Sequence, residues 1–423
     1  MIECCLLGTG TRRMRIGFII PYFYPAFEYG GTPRVAYEFA RCLVRRGHEV
    51  TVVTTDSGGP KRIGKDTIAT IQDNGLEGIR IFYYPNLSNY LAYEQRVFLP
   101  LRLLQNVSRH LVSLDVVHIH EFRCLLSVAA HSALQRLHIP YVLSPHGGLQ
   151  RLGKVRVKSL FDRLWGQEIL KDAAAVCAVS DLEIDDARQF GVEDKRIYLL
   201  PNPINDDHYR NLPEQGGFIK KWNLGNKRLV LFLGRLHWIK GIDVLIDAIR
   251  LIEEIPDLHV VIAGPDDGAE EALRARAVHR KIMDKITFTG FLNDFEKLQA
   301  LVDSEVVVIP SRRESFPGTA LEAVAAAKPV VLSSMCGIVN WIPGRAAMTV
   351  FESENVYDLA RKLKTVLQSR SSSQDLLNTK DLVLREFSPN GLAAKAEMLY
   401  QSVSISDFRL RKLGELETRS YRC

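Results

Sequence analysis

Two short stretches of this 423-residue chain combine residue types suited to chemistry on phosphate and sugar. In the first, Leu229-Val230-Leu231-Phe232-Leu233 reads as a buried strand running into Gly234-Arg235-Leu236-His237-Trp238-Ile239-Lys240-Gly241. Two cations thus follow the carboxyl end of a strand, where open α/β sheets bind their ligands. An arginine grips phosphate through two parallel N–H bonds and a lysine adds a compact point charge, a pairing suited to a diphosphate. The plainer reading of the same residues is a solvated basic loop.

In the second stretch, the strand over 306–310 leads into Ser311-Arg312-Arg313-Glu314-Ser315-Phe316-Pro317-Gly318-Thr319-Ala320-Leu321-Glu322. Pro317 and Gly318 disfavour helix before Thr319, which puts Glu314 on a loop and Glu322 on the helix that follows. One carboxylate is then placed for sugar hydroxyls and the other for a ribose. The free N–H groups of the helix start between them suit a phosphate.

These residues need strands that end beside one another, and the surrounding pattern supplies them. From Met14 onward, short apolar runs alternate with amphipathic stretches. Extended segments are expected at 16–21, 49–54, 116–120 and 141–144, with helices at 32–46 and 125–137. The 32–46 helix aligns Val35, Phe39, Leu43 and Val44 on one face and ends at Gly47. Around Pro201-Asn202-Pro203 the pattern breaks, and Asn205 to Arg228 is polar and interrupted by Gly216-Gly217. A second series follows, with strands at 229–233, 260–263, 286–289, 306–310 and 329–333 and helices at 241–252, 295–302 and 319–327. Alternation of this kind implies parallel strands with helical crossovers. The expected fold is α/β, with two Rossmann-like domains facing across a cleft.

Composition narrows the class. Hydrophobic residues make up 46% and charged residues 25%, as in a globular chain with more than one sizeable core. The net charge of +6 lacks the dense basic stripes of a nucleic-acid binder, so no nucleic-acid partner is expected. The excess sits in residues 1–200, with 25 basic against 20 acidic side chains. Seven cysteines without CxxC spacing fit a reducing compartment, and no apolar run is long enough to span a bilayer. A cytoplasmic protein is expected, or one peripheral to the inner membrane face. Gly8-x-Gly10 has Arg13 where a dinucleotide fingerprint needs its third glycine and no strand before it, which argues against a nicotinamide oxidoreductase. The Asp-Asp pairs at 185/186, 206/207 and 266/267 are not a DxD metal signature and read as solvated loop charges or caps.

Further motifs join these in a fixed order: Glu28-Tyr29-Gly30-Gly31, Asp115-Val116-Val117-His118-Ile119-His120, Ser144-Pro145-His146-Gly147-Gly148, Ala178-Val179-Ser180 and Ala263-Gly264. With Arg235, Lys240 and the Glu314 to Glu322 stretch, the chain from Met14 to about Val403 resembles the retaining GT-B glycosyltransferases of glycosyltransferase family 4. The resemblance implies a C-terminal domain that binds a nucleotide sugar and an N-terminal domain that supplies most of the acceptor site. It makes Arg235 and Lys240 the diphosphate clamp, Glu314 the contact to the donor sugar, Glu322 the contact to ribose, and His146 a group approaching that sugar. Gly30 and Gly31 would admit the ligand close to the backbone, while Phe316, Pro317, Gly318 and Thr319 would shape the sugar and phosphate wall. Arg34, His118 and His120 are secondary candidates. Asn202-Pro203 departs from the family's usual Asn-Gly at this point, which bears on the local turn. The implied domains are an extension at 1–13, an acceptor domain at 14–204, a nucleotide-sugar domain at 205–385, and over 386–423 a helix returning toward the first domain plus a charged tail.

The function expected is transfer of a sugar, with retention and without a metal or other cofactor, from a nucleoside diphosphate sugar to a glycan or lipid-linked acceptor. A UDP-sugar is the expected donor. Alternatives are an epimerase or sugar-phosphate synthase of the same fold, or an inactive sugar-nucleotide-binding partner in a glycan assembly complex. Residues 151–165 interleave Arg151, Lys154, Arg156, Lys158 and Arg163 with Val155, Val157, Leu160, Phe161, Leu164 and Trp165. They read either as a crossover helix with its apolar face on the first sheet or as a surface for an anionic membrane.

Overall fold

The computed structural model describes residues 12–150, 153, 155–342, 347–369 and 372–404. The first sheet contains β1 (Arg15–Ile19), β2 (Glu49–Thr55), β3 (Arg80–Tyr84), β4 (Val116–His120), β5 (Tyr141–Ser144), β6 (Ala175–Ala178) and β7 (Ile197–Leu199), in the order β3-β2-β1-β4-β5-β6-β7. The second contains β8 (Arg228–Leu233), β9 (Leu258–Ala263), β10 (Ile286–Gly290), β11 (Val306–Ile309), β12 (Val330–Ser333) and β13 (Met348–Phe351), in the order β10-β9-β8-β11-β12-β13. All neighbours in both sheets pair in parallel. Each sheet reverses its winding once, between β1 and β4 and between β8 and β11. In open α/β sheets the carboxyl ends of the strands at such a reversal are where ligands bind.

The strands are nearly continuous apolar runs because helices cover both faces of each sheet. In β8, Leu229 and Leu231 enter one buried cluster while Val230 and Phe232 enter the cluster on the opposite face. The helix Gly31–Arg45 buries Val35, Ala36, Phe39, Ala40 and Leu43. It stops where Gly47, at φ 93°, donates its N–H to the Val44 carbonyl.

The described chain divides into two compact units, with the chain changing over after Ala178, Leu200 and Leu392 and with Val179–Glu183 packing in the second unit. The helix Pro389–Val403 therefore starts in the second unit and ends in the first. There the buried Glu397 carboxylate meets Arg46 Nε at 2.6 Å and His48 Nε2 at 3.1 Å.

Three expectations are corrected. The second-unit helix begins at Gly318, one residue earlier than expected, because Pro317 takes the capping position and its ring ends the preceding loop there. The Asp267 carboxylate is not a merely solvated loop charge, since it pairs with Arg235. Lastly, the apolar residues of the 155–165 segment other than Phe161 do not pack into the core of the first unit. Val155, Val157, Leu160, Leu164 and Trp165 are 39% to 67% exposed along the helix Val155–Phe161 and the wider π-type turn Asp162–Gly166. The inward face is made instead by Phe161, Asp162 and Gly166, of which Asp162 is gripped by Arg123 Nε at 2.8 Å. Arg151 and Lys154, residues 1–11 of the extension, and the tail after Ser404 lie outside the described residues.

Candidate functional site

In the second unit, the loops after β8 and β11 lie side by side at the winding reversal. Lys240 Nζ donates to Glu314 Oε1 at 2.6 Å, and Ser311 Oγ donates to Glu314 Oε2 at 2.8 Å. Burial by itself would raise the Glu314 carboxyl, but the Lys240 charge and hydrogen bond, then Ser311 and Arg235, hold it below the usual carboxylate range. Glu314 is therefore an anion at neutral pH, locked to a cation. Arg235 pairs with the Asp267 carboxylate on the neighbouring loop after β9.

The close approach of the two loops has a steric origin. Gly241 sits at φ 64°, and a Cβ there would fall 2.0 Å from the Pro310 carbonyl oxygen at the end of β11. Only glycine both adopts that backbone conformation readily and leaves the space. Arg312 then fastens the loops. Its N–H donates to the Ile239 carbonyl at 2.8 Å, and its guanidinium spans Asp243 Oδ1 and Oδ2 at 3.0 and 2.8 Å while also reaching the Trp238 carbonyl. Across the site, Glu314 N–H donates to the Met335 carbonyl at 3.0 Å and Gly337 N–H to the Glu314 carbonyl at 2.9 Å. The glutamate is thus held through both its N–H and its carbonyl by a parallel bridge to Cys336.

The helix Gly318–Ala325 begins at this loop with no side-chain cap, and Pro317 occupies the capping position at φ −72° and ψ 100°. Its first N–H groups are available to an anion, as in other uncapped helix starts. Thr319 Oγ1 contacts the Leu233 carbonyl at 3.4 Å, tying the helix start to the end of β8. Phe316 is buried and packs its ring on Phe387, so it supports the loop from the core side. Glu322 lies one helical turn further along and accepts from Lys297 Nζ at 2.6 Å. Sequence reasoning did not mark Arg312, Asp243, Asp267 or Lys297 as site residues. Each lies far along the chain from its partner, and no local spacing marks such a pair.

In the first unit, β1, β4 and β5 deliver a second group of residues. Gly30, at φ 111°, and Gly31 open the helix Gly31–Arg45, and a Cβ at either would meet nothing within 4 Å. After β5 the chain turns sharply at His146 (φ 50°) and Gly147 (φ 80°), and Gly148 N–H donates to the Pro145 carbonyl at 2.8 Å. Arg123 holds this turn by donating to the Gly148, Leu149 and Gln150 carbonyls. His146 is half-buried, and its Nε2 lies 3.0 Å from His120 Nδ1. His118 and His120 are core residues, both fully enclosed. His118 spans Tyr400 Oη at 2.6 Å and Ser144 Oγ at 2.7 Å. Burial lowers all three imidazoles, His118 to about 3 and His146 to about 4, and in His118 and His120 their histidine neighbours add to the effect. The three rings are neutral at pH 7. Arg34 lies over the Phe27 ring, 4.4 Å from its centroid.

The four described cysteines, Cys42, Cys124, Cys177 and Cys336, form no disulfide with one another. Among the described residues, no group of three or more His, Cys, Asp or Glu is arranged to hold a metal ion, and no helix is long and apolar enough to cross a membrane.

With this arrangement established, comparison with known proteins places both units. A domain described as Glycosyltransferase Family 4 matches residues 29–208, and one described as Glycosyl transferases group 1 matches residues 217–380. Between them they take in most of the chain. An uncharacterized glycosyltransferase of Methanocaldococcus jannaschii is 26% identical over 400 residues, covering 90% of this chain and 97% of its own length. One of the subunits of the human phosphatidylinositol N-acetylglucosaminyltransferase is 23% identical, covering 93% of this chain and 77% of its own length. Among solved structures, the Anabaena protein HepE in complex with UDP and glucose superimposes with a TM-score of 0.72 at 17% identity, over 92% of this chain and all of that one. Two parallel-sheet α/β units, each matched by its own glycosyltransferase domain and together sharing the fold of the HepE structure, make this chain a GT-B glycosyltransferase of the family 4 type.

Proposed function

We propose that this protein transfers a hexose, with retention of configuration and without a metal ion, from a UDP-sugar to a glycan or lipid-linked acceptor. The observation that carries the reading is the junction of Lys240, Glu314 and the uncapped start of the helix Gly318–Ala325 at the β8/β11 reversal. Breaking a glycosyl-phosphate bond builds negative charge on the departing diphosphate. Arg235, Lys240 and the helix N–H groups are charges and dipoles already in place to stabilise it. Glu314, held ionised, suits hydroxyl groups of the sugar, and Glu322 suits the ribose. His146, Gly30 and Gly31 are assigned to the reaction by the likeness to family 4. Gly318 and Thr319 form the wall of the donor site, with the buried Phe316 and Pro317 supporting it from the core side. Retention rests on the likeness to family 4, and the UDP preference on the UDP and glucose bound by the structural neighbour.

A lipid-linked acceptor is supported by two facts. The human relative's name includes phosphatidylinositol. The exposed Val155, Val157, Leu160, Leu164 and Trp165 are interleaved with Arg156, Lys158 and Arg163, a surface matched to an anionic bilayer. The protein is accordingly proposed to work at the cytoplasmic face of a membrane as a peripheral enzyme. The deciding experiment offers a panel of radiolabelled nucleotide sugars with and without lipid extract. Transfer to lipid or glycan with the anomeric configuration kept is expected. Donor conversion to an epimer or to a free sugar phosphate, with no transfer, would replace the reading by one of the alternatives of the same fold.

A further inference from the structure

His120 is the one site histidine with a ring nitrogen that is both buried and without a partner among the described residues. Its side chain is fully enclosed, its Nδ1 lies 3.0 Å from His146 Nε2, and its Nε2 meets no hydrogen-bonding group of the described residues. The His120 and His146 rings lie within 8° of coplanar with centroids 5.3 Å apart, the geometry of two imidazoles meeting edge to edge along an N–H···N bond. On its other side the His120 ring stacks on His118 at 4.0 Å and leans against Phe18 at 4.9 Å. It has no room to turn over.

A neutral imidazole carries one N–H, so two arrangements are open. A proton on His120 Nε2 would bury a donor with nothing to receive it, while His146 donated to Nδ1. A proton on His120 Nδ1 spends the donor on His146 and leaves Nε2 as a bare lone pair. Buried donors without partners are rarer in folded proteins than under-satisfied acceptors, because the enclosed N–H loses its full hydration. The second arrangement is therefore the stable one.

We propose that His120 is a positioning residue that donates its Nδ1–H to His146 Nε2 and so fixes His146 as the Nδ1–H tautomer. His146 then offers a hydrogen-bond donor, and not a proton-accepting lone pair, at its remaining ring nitrogen. Its role toward a phosphate or sugar oxygen is that of a neutral donor to developing negative charge, which excludes it as a general base. The tautomer follows from the geometry alone, and only the nature of the oxygen it serves rests on the functional reading above. The left-handed backbone at His146 and Gly147, held by Arg123, keeps the ring at this position.

The test is a long-range nitrogen–proton NMR correlation on the full chain carrying 15N-labelled histidine, with His146 assigned through His146→Gln. The expected pattern is a protonated Nδ1 and an unprotonated Nε2 at neutral pH. An Nε2–H pattern in the unsubstituted protein overturns the proposal whatever the activity, and needs no variant to fold. His120→Phe should release His146 to the Nε2–H form and lower turnover by about tenfold or more, with a smaller change in donor KM. His120→Asn, whose amide N–H falls near the original Nδ1, should restore both the tautomer and most of the turnover. Retention of the Nδ1–H form in His120→Phe would also overturn the proposal. The expected tautomer in a chain that transfers no sugar would uphold it and sink the functional reading instead.

Discussion

Lys240 and Glu314 form a 2.6 Å ion pair that any bound diphosphate and sugar would have to share. Truncating the lysine removes a preorganised cation and leaves an enclosed carboxylate without its counter-charge. Lys240→Ala is expected to lower turnover by roughly ten- to a thousand-fold, and Arg235→Ala by a comparable factor, with the fold surviving in both. Steady-state kinetics with circular dichroism as the folding check would decide, and near-normal turnover in both variants would remove the clamp. Glu314 also carries a pH signature. Its carboxyl lies below its usual value of 4.5 in the folded chain, so the unfolded chain binds the proton more readily and stability rises with pH through that interval. The contribution should be complete above pH 4.5 and disappear as pH falls through the depressed value. Melting curves of the native protein and Glu314→Gln should therefore converge on acidification, and a gap that widened toward low pH would contradict the pairing.

At the scale of elements, two segments make opposite demands on their surroundings. The β8 loop needs to approach β11 closely, and Gly241 permits it. Gly241→Ala would impose both a left-handed backbone on a residue with a Cβ and a 2.0 Å approach to the Pro310 oxygen. The substitution should cost several kcal/mol, on the order of the largest single-residue effects, and weaken UDP binding by moving Lys240. A calorimetric melt unchanged within a degree would show that the loop relaxes freely. The helix Val155–Phe161 is the reverse case, an element that turns Phe161 inward but keeps Val155, Val157 and Leu160 outside the core. Each Lys or Arg beside an anionic bilayer is worth about 1 kcal/mol. Co-sedimentation with anionic vesicles should weaken with salt and fall sharply when Arg151, Lys154, Arg156 and Lys158 are replaced together by glutamine. Equal sedimentation with neutral vesicles would rule out the charge term.

For the whole molecule, ligand and metal responses are the relevant measures. A nucleotide that binds only the folded chain adds about 2.7 kcal/mol of stability at about 100 times its dissociation constant. Thermal shift against a panel of nucleoside diphosphates should show UDP raising the midpoint by a few degrees above the others. Turnover should persist in excess chelator, because Arg235 and Lys240 can neutralise the diphosphate where other enzymes use a divalent ion. Complete loss with EDTA, restored by a divalent cation, would overturn the metal-free reading.

The alternation of buried strands and amphipathic helices, the glycine turns and the strand-end cations are all periodic or local patterns. Such patterns are enough to set the α/β class, the two series of strands and the placement of Arg235, Lys240, Glu314 and Glu322 on loop or helix. The family likeness followed from the order of those motifs. What each charged group meets is settled by long-range packing. Asp267 takes up Arg235, Lys297 takes up Glu322, and Arg312 clasps Asp243, in pairs separated by 32, 25 and 69 residues. The enclosure of the histidines at 118 and 120 and their coupling to His146 have the same origin, because they depend on how β4 and β5 lie in register, with His120 opposite Ser144. Packing also left most apolar side chains of residues 155–165 exposed, which counts against the first of the two readings of that segment. Amphipathic periodicity states that a helix has an apolar face, but only the arrangement of the rest of the chain determines whether that face is covered.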